Sequence, residues 1–247
     1  MLDLLPEGLS LVAFWSILAA SFAGSFITAA FGIGGGGLLL AIMASLLPPA
    51  ALIPVHGVVQ AGSNAGRMVM LWRNIFWPAL PWFALGALIG VALGGSVAVE
   101  LPPQYVQIGV GAFVIYTVVA KAPRWFSRWP FLTGLVSSFL TMFFGATGLF
   151  VASFTKSLKL PRHAHVATHA TLMTVQHALK VTVFGVLGFA YGAWFWVIVL
   201  MIAVGLIGTY AGRLVLYRLS DARFGMVLNA LLVLISLRLI WQGLTTL

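Results

Sequence analysis

Two sets of residues at one spacing carry the chemistry this chain could do. His56, Gln60, Ser63, Asn64 and Arg67 stand at offsets 0, 4, 7, 8 and 11, and His169, Met173, Gln176, His177 and Lys180 stand at the same offsets. On an α-helix, at about 100° per residue, either set falls within one arc of roughly 100° and runs about 16 Å. Each helix then presents one stripe of hydrogen-bonding groups that ends in a cation. A second pair of features lies upstream of the stripes. The glycine run FGIGGGG, residues 31–37, has a shorter counterpart in FGATG, residues 144–148. Glycine allows tight backbone turns, and a helix that starts at such a turn aims free N–H groups and the positive end of its dipole at whatever lies ahead. These types together suit an anion. Gly34, Gly35, Gly36, Thr147 and Gly148 would supply backbone donors, Arg67 and Lys180 charge, and His56, Gln60, Asn64, His169, Gln176 and His177 hydrogen bonds.

The elements that must position these residues are membrane spans. Of the 247 residues 62% are hydrophobic and only 7% charged, against about a quarter charged in a soluble domain. That balance excludes a soluble enzyme, a nucleic-acid-binding domain and a disordered chain, and nucleic acid is no partner here. The fold expected is all-α and polytopic, with about 8–10 transmembrane segments in a lipid bilayer. Proline, glycine and charge divide the chain into apolar segments at 9–31, 36–47, 51–71, 76–97, 105–120, 130–145, 149–157, 164–184, 189–214 and 224–241. Segments 36–47 and 149–157 are too short to span and read as broken or re-entrant helices. Lys121, Arg124 and Arg128, then Lys156, Lys159 and Arg162, then Arg213, Arg218 and Arg223 follow every second segment, as Arg67 and Arg73 do. Asp3, Glu7 and Glu100 fall between. The basic loops therefore share the cytoplasmic side of the bacterial inner membrane and both termini face outward. The N-terminus, with Asp3 and Glu7 and no early cation, does not read as a cleavable signal, so the first span is expected to remain. His163 and His165 read as solvated loop residues. Trp72, Trp77, Trp82, Trp125, Trp129 and Trp241 read as interfacial anchors.

A shift of 113 residues aligns the two halves without a gap. Ser25 meets Ser138, Thr28 meets Thr141, Gly32 meets Gly145, Pro48 meets Pro161, His56 meets His169 and Arg67 meets Lys180. Residues 1–123 and 124–247 are expected to be two transmembrane repeats of one integral domain, each with an odd number of crossings and so of inverted topology. Transporters with that plan hold their substrate near the midplane where broken helices meet. All four carboxylates lie at the termini or in loops, so none is available within the spans to bind sodium or carry a proton. If protons are coupled, His56, His169 and His177 are the titratable candidates. With no cysteine in the chain, disulfides and thiolate metal sites are excluded.

The stretch GSFITAAFGIGGGGLLLAIMASLLPPAALIPVHGVVQAGSNAGRMV, its looser copy SSFLTMFFGATGLFVASFTKSLKLPRHAHVATHATLMTVQHALKV and the following ALPWFALGALIGVALGG resemble the TauE/SafE family, also called TSUP. The resemblance covers essentially the whole chain. It implies transport of small sulfur-containing anions such as sulfite, thiosulfate or sulfonates of the sulfoacetate type, with no cofactor and no catalytic residues. The second half departs from the pattern, its glycine run being reduced to Gly145-Ala146-Thr147-Gly148. The reading admits proton coupling and a homodimer. Its alternatives are a passive anion channel and an intramembrane histidine-based enzyme or metal or haem protein. The site assignment predicts that Arg67→Ala or His169→Ala abolishes uptake of labelled sulfonate into proteoliposomes while the protein stays folded; near-wild-type uptake by both variants would remove the assignment.

Overall fold

The computed structural model describes residues 5–6, 8–31, 34–98, 102–119, 128–215 and 221–246. Among them stand ten α-helices: α1 Leu11–Phe31, α2 Gly35–Ala44, α3 Pro49–Met70, α4 Leu80–Ala98, α5 Pro103–Val119, α6 Pro130–Phe144, α7 Gly148–Ser157, α8 Arg162–Val186, α9 Phe195–Val215 and α10 Asp221–Thr245. The expected loop charges Lys121 and Arg124, the interfacial Trp125, the carboxylates Asp3, Glu7 and Glu100 and the loop cation Arg218 lie outside the described residues, as do Gly32 and Ile33 of the glycine run. So do the side chains of Asp221 and Arg223.

Three stretches are long and apolar enough to cross a membrane, Leu11–Phe31, Trp77–Val97 and Tyr191–Leu214. At about 1.5 Å per residue each matches a hydrocarbon layer of about 30 Å. Leu85, Leu88 and Leu93 on α4 and Trp196, Leu200 and Ile207 on α9 stand exposed, which suits faces turned to lipid. The longer α3 and α8 are instead interrupted by polar residues, and those of the two stripes, His56, Gln60, Ser63, Asn64 and Arg67 and then His169, Gln176, His177 and Lys180, are buried. They pack in the middle of the molecule. The fold is therefore that of an all-α polytopic membrane protein. Arg238, near the end of α10, is exposed, where its stem can carry the guanidinium to the interface.

Direction along each pair follows from which residues touch. Gly57 near the start of α3 lies beside Lys180 near the end of α8, while Leu71, just past α3, clusters with Val166 at the start of α8. These two helices are antiparallel. Gly111 meets Ser236 and Ile240, and Gly243 meets Gln104 and Ile108, so α5 and α10 are antiparallel too. On α9, Gly205 faces Ser21 and Ser25 of α1, Gly208 faces Phe22, and Gly212 faces Phe26, in parallel sense. Gly86, Gly90 and Gly94 of α4 step in the same sense along Phe131, Leu135 and Phe139 of α6. The glycines lie at or near four-residue spacing because only a missing Cβ lets two backbones approach this closely, and dispersion between them replaces a hydrophobic drive that lipid does not provide. Several element starts recur at the 113-residue spacing: α2 at 35 and α7 at 148, α3 at 49 and α8 at 162.

The short helices are half-length. Ten residues rise about 15 Å. Gly35 at the start of α2 sits against Gly24 and Thr28 of α1, and Gly36 against Gln60, halfway along α3. Gly148 at the start of α7 sits against His169 and Met173 of α8. Both short helices thus begin beside the middle of a long one. The turns that feed them need positive φ, 105° at Gly34 and 73° at Gly145, where a Cβ would be strained.

Element limits differ from the sequence expectation at a few ends. Helix α8 already begins at Arg162, so His163 and His165 are in its first turn and half-buried rather than in a solvated loop. Pro161 at the N-cap supplies the extended φ and ψ that let the helix start there. Helix α9 begins at Phe195, behind a 3-10 turn Tyr191–Trp194.

Gly90→Ala places a methyl on the backbone of Leu135 and Phe139 and is expected to cost about 1–3 kcal/mol by overpacking. Gly192→Ala, with open space around it, should leave the melting temperature in detergent unchanged, which makes the pair a controlled comparison. Sidedness has its own check, because the chain has no cysteine. Thr246→Cys should react with an impermeant maleimide in intact cells, and Asn74→Cys, at the opposite end, only after permeabilisation.

Candidate functional site

The antiparallel crossing of α3 and α8 brings the two polar stripes together. Every stripe side chain proposed from the sequence is buried: His56, Gln60, Asn64 and Arg67 on α3, His169, Gln176, His177 and Lys180 on α8, with Lys180 at 0% exposure. The His56 and His177 rings stand edge to face with centroids 6.0 Å apart. Lys180 lies across the crossing against Gly57, where an added Cβ would stand 2.7 Å from its Cε. Position 57 therefore makes room for the lysine, a role with no visible sign in the sequence.

The first stripe is largely bonded within itself. The Asn64 amide donates to the Gln60 carbonyl at 2.8 Å and to Gln60 Oε1 at 3.2 Å. Arg67 donates to Asn64 Oδ1 at 3.1 Å and Ser63 Oγ at 3.3 Å. Ser63 in turn shares a 2.9 Å hydrogen bond with Ser25 of α1. The guanidinium is thus held in one orientation, and its Nε is buried without a partner among the described residues. Burial at 3% exposure shows that Arg67 does not snorkel to the interface.

The second stripe is tied to its surroundings instead. Gln176 donates to Thr147 Oγ1 at 2.8 Å and accepts from Ser137 of α6 at 2.8 Å. That chain joins α6, α8 and the start of α7. Lys180 Nζ and His177 Nδ1 are buried and have no partner among the described residues. Ser137 was missed by sequence reasoning because the neighbouring Ser138 is the one aligned with Ser25. Ser138 Oγ has no partner among the described residues.

His56 and His169 do the same job in the two halves. Each ring Nε2 donates to a carbonyl in the first turn of a short helix, Gly36 at 3.1 Å and Gly148 at 3.3 Å. A carbonyl can only accept, so in each ring Nε2 carries the proton. The histidines fasten α2 to α3 and α7 to α8. Neither short helix has a side-chain cap: Gly34 carries no side chain, and Thr147 spends its hydroxyl on Gln176. The first ladder bond of α2 runs from Leu38 N to Gly34 O, so the amides of Gly35, Gly36 and Gly37 precede the ladder. In α7 the amides of Gly148 and Leu149 precede the bond from Phe150 N to Thr147 O. Two half-helices present uncapped N-terminal ends beside two buried basic side chains. Isolated buried charge costs several kcal/mol, and all four carboxylates of the chain lie outside α1–α9. Chemically the arrangement can compensate a small anion rich in acceptor oxygens.

Among the described residues no group of three or more His, Cys, Asp or Glu side chains is placed to hold a metal ion. Comparison with known proteins adds one result. No curated protein and no solved structure gives a significant match to the chain. The model of the family described as sulfite exporter TauE/SafE matches residues 17–239, from the first turns of α1 to near the end of α10. With the match running through both half-helices and both polar stripes, the chain belongs to the sulfite exporter TauE/SafE family and is a multi-pass membrane transport protein.

Proposed function

We propose that this protein is a secondary transporter that carries a small sulfur oxyanion or organosulfonate across the bacterial inner membrane by alternating access. The observation that carries the reading is a pair of buried basic side chains, Arg67 and Lys180, each with a nitrogen lacking a hydrogen-bond partner among the described residues, in spans that contain no acid. A sulfite or sulfonate head has three acceptor oxygens. Lys180 Nζ lies at Gly57 and Arg67 ten residues, about 15 Å, further along α3, so Lys180 with the leading amides of α2 and Arg67 Nε with those of α7 would meet them in turn. The choice of sulfur over other anions rests on family membership.

The roles divide by what each group touches. Lys180 is the principal contact, since its ammonium has three donors and no partner among the described residues. Arg67, already bonded to Asn64 and Ser63, contributes a fixed charge. His56 and His169 are positioning residues, because their protonated nitrogens are spent on Gly36 and Gly148. Gln60, Asn64, Gln176 and Thr147 hold the stripes and the half-helices in register. Residues 1–123 and 124–247 act as inverted repeats. The antiparallel pairs α3/α8 and α5/α10 and the parallel pairs α1/α9 and α4/α6 support this, for they are the senses that two oppositely inserted five-helix units would generate. Rocking of one unit against the other would expose the crossing to each side in turn.

In proteoliposomes the wild-type protein should show saturable sulfite uptake and counterflow, whereas ohmic flux without counterflow would sink the carrier reading in favour of a channel. Lys180→Met should lower uptake at least a hundredfold with the melting temperature retained. Gly57→Ala, which pushes the lysine end aside, should raise KM about tenfold. Undiminished transport by both variants would remove Lys180 from the site.

A further inference from the structure

The basic end of the molecule holds a basin of about 760 Å³. Its walls include Arg73 and Asn74 from the turn after α3, His163 from the start of α8, and Tyr210 and Arg213 from α9. Beneath it lies a narrow cleft of about 10 Å³ lined by Arg67, Met70, Leu71, Val166, Thr209 and Arg213, together with Ala29. A cleft that size barely admits one water. Met70, Leu71 and Arg213 line both spaces. The basin, the cleft and Arg67 therefore lie in series, with an apolar plug between them. Leu71 and Val166 belong to one buried cluster with Ile75 and Ala167, and Met70 packs on it.

Two buried polar atoms lie along this series and lack a partner among the described residues, Arg67 Nε and Thr209 Oγ1. Thr209 is 1% exposed. A buried hydroxyl left unpaired is costly, and its neighbours in the cleft are Arg67 and Arg213. Arg213, at the end of the helix, is exposed towards the basin. A cation that borders both an open basin and a closed cleft is placed to bind an anion outside the plug and release it inward.

We propose that the basin is an outer binding site for the transported anion, and that Arg213 and Thr209 pass it to Arg67 when Met70, Leu71 and Val166 part. This rests on the transport reading above and adds to it a named entry route and two residues. The ligand is a small oxyanion that takes donors from a guanidinium and a hydroxyl. A lipid phosphate offers the same chemistry, so the two sources must be separated by experiment. A free anion is the occupant the geometry favours, because the basin continues inward to Arg67. A headgroup tethered to its tails has no use for that continuation.

The test is radiolabelled sulfite uptake into proteoliposomes of phosphatidylcholine alone, and again with phosphatidylglycerol added. Arg213→Gln should raise KM about tenfold in pure phosphatidylcholine, leave kcat within about twofold, and flatten the dependence of uptake on ionic strength. Arg213→Lys should restore most of the KM. Thr209→Val should lower kcat instead, since it acts at the plug. Melting temperatures of all three should stay near wild type, which separates these effects from misfolding. An unchanged KM for Arg213→Gln, or a change seen only when phosphatidylglycerol is present, overturns the proposal, the second outcome assigning the basin to lipid headgroups. Failure of the wild-type protein to take up sulfite at all is a different result, which removes the transport reading on which the route depends.

Discussion

Everything in this structure is arranged around two basic side chains held in a membrane interior without an acid to pair with them. A buried cation in lipid-embedded protein is stabilised only by donors turned away, acceptors turned in, or a counter-charge. One terminal nitrogen of Arg67 is bonded to Ser63 and Asn64, while its Nε has no partner among the described residues. Lys180 has none among the described residues, and position 57 is a glycine so that its chain can lie across the helix crossing. On the function proposed above, the remaining compensation would be an anion. That reading would give a role to the starts of the half-helices: α2 and α7 begin beside the middle of α3 and α8, where their uncapped N-termini would share the work of the cations.

The packing of the other helices follows from that crossing. Long helices with polar stripes cannot face lipid, so α3 and α8 lie inside, and α4 and α9 carry much of the apolar exterior. The outer helices are drawn in tightly by glycine. Gly86, Gly90 and Gly94 on α4 and Gly205, Gly208 and Gly212 on α9 bring the backbones of α6 and α1 close. These pairings cross between the halves of the chain. Helix α4 holds α6, and α9 holds α1, so neither half is a separate body. The rocking proposed above would slide one set of helices along these glycine seams rather than separate two domains. Two histidines, each bonded to a carbonyl of a half-helix, keep the N-termini in place relative to the stripes.

Much of this was legible in the amino-acid sequence because membranes make composition informative. Apolar segments of about span length, cations after every second segment and the 113-residue spacing give the class, the crossings and the paired stripes. The assignment of His163 and His165 to a loop failed, because a charged, histidine-rich stretch looks solvated while Pro161 in fact starts a helix there. The function of Gly57 and the partnership of Ser137 with Gln176 left no trace in spacing. Both depend on which residue of one helix faces which residue of another, and helix–helix register in a bundle is set by the shapes of both surfaces together.

The sequence by itself determined that this is an all-helical membrane protein with cations and no acids within its core spans, since the hydrophobic free energy of the segments is a sum over residue types. It also determined the two stripes, because α-helical periodicity follows from local geometry. Only the tertiary structure decided which stripe groups are already satisfied within the protein and which have no partner among the described residues. Arg67 and Lys180 are equivalent in spacing and in charge. They differ because the serine and asparagine before Arg67 turn back to accept its hydrogen bonds, while the glutamine before Lys180 is bonded to Ser137 and Thr147 and the histidine stands edge to face with His56. Hydrogen bonding is directional and competes among neighbours, so its outcome is a property of the packed molecule and not of the string of residues.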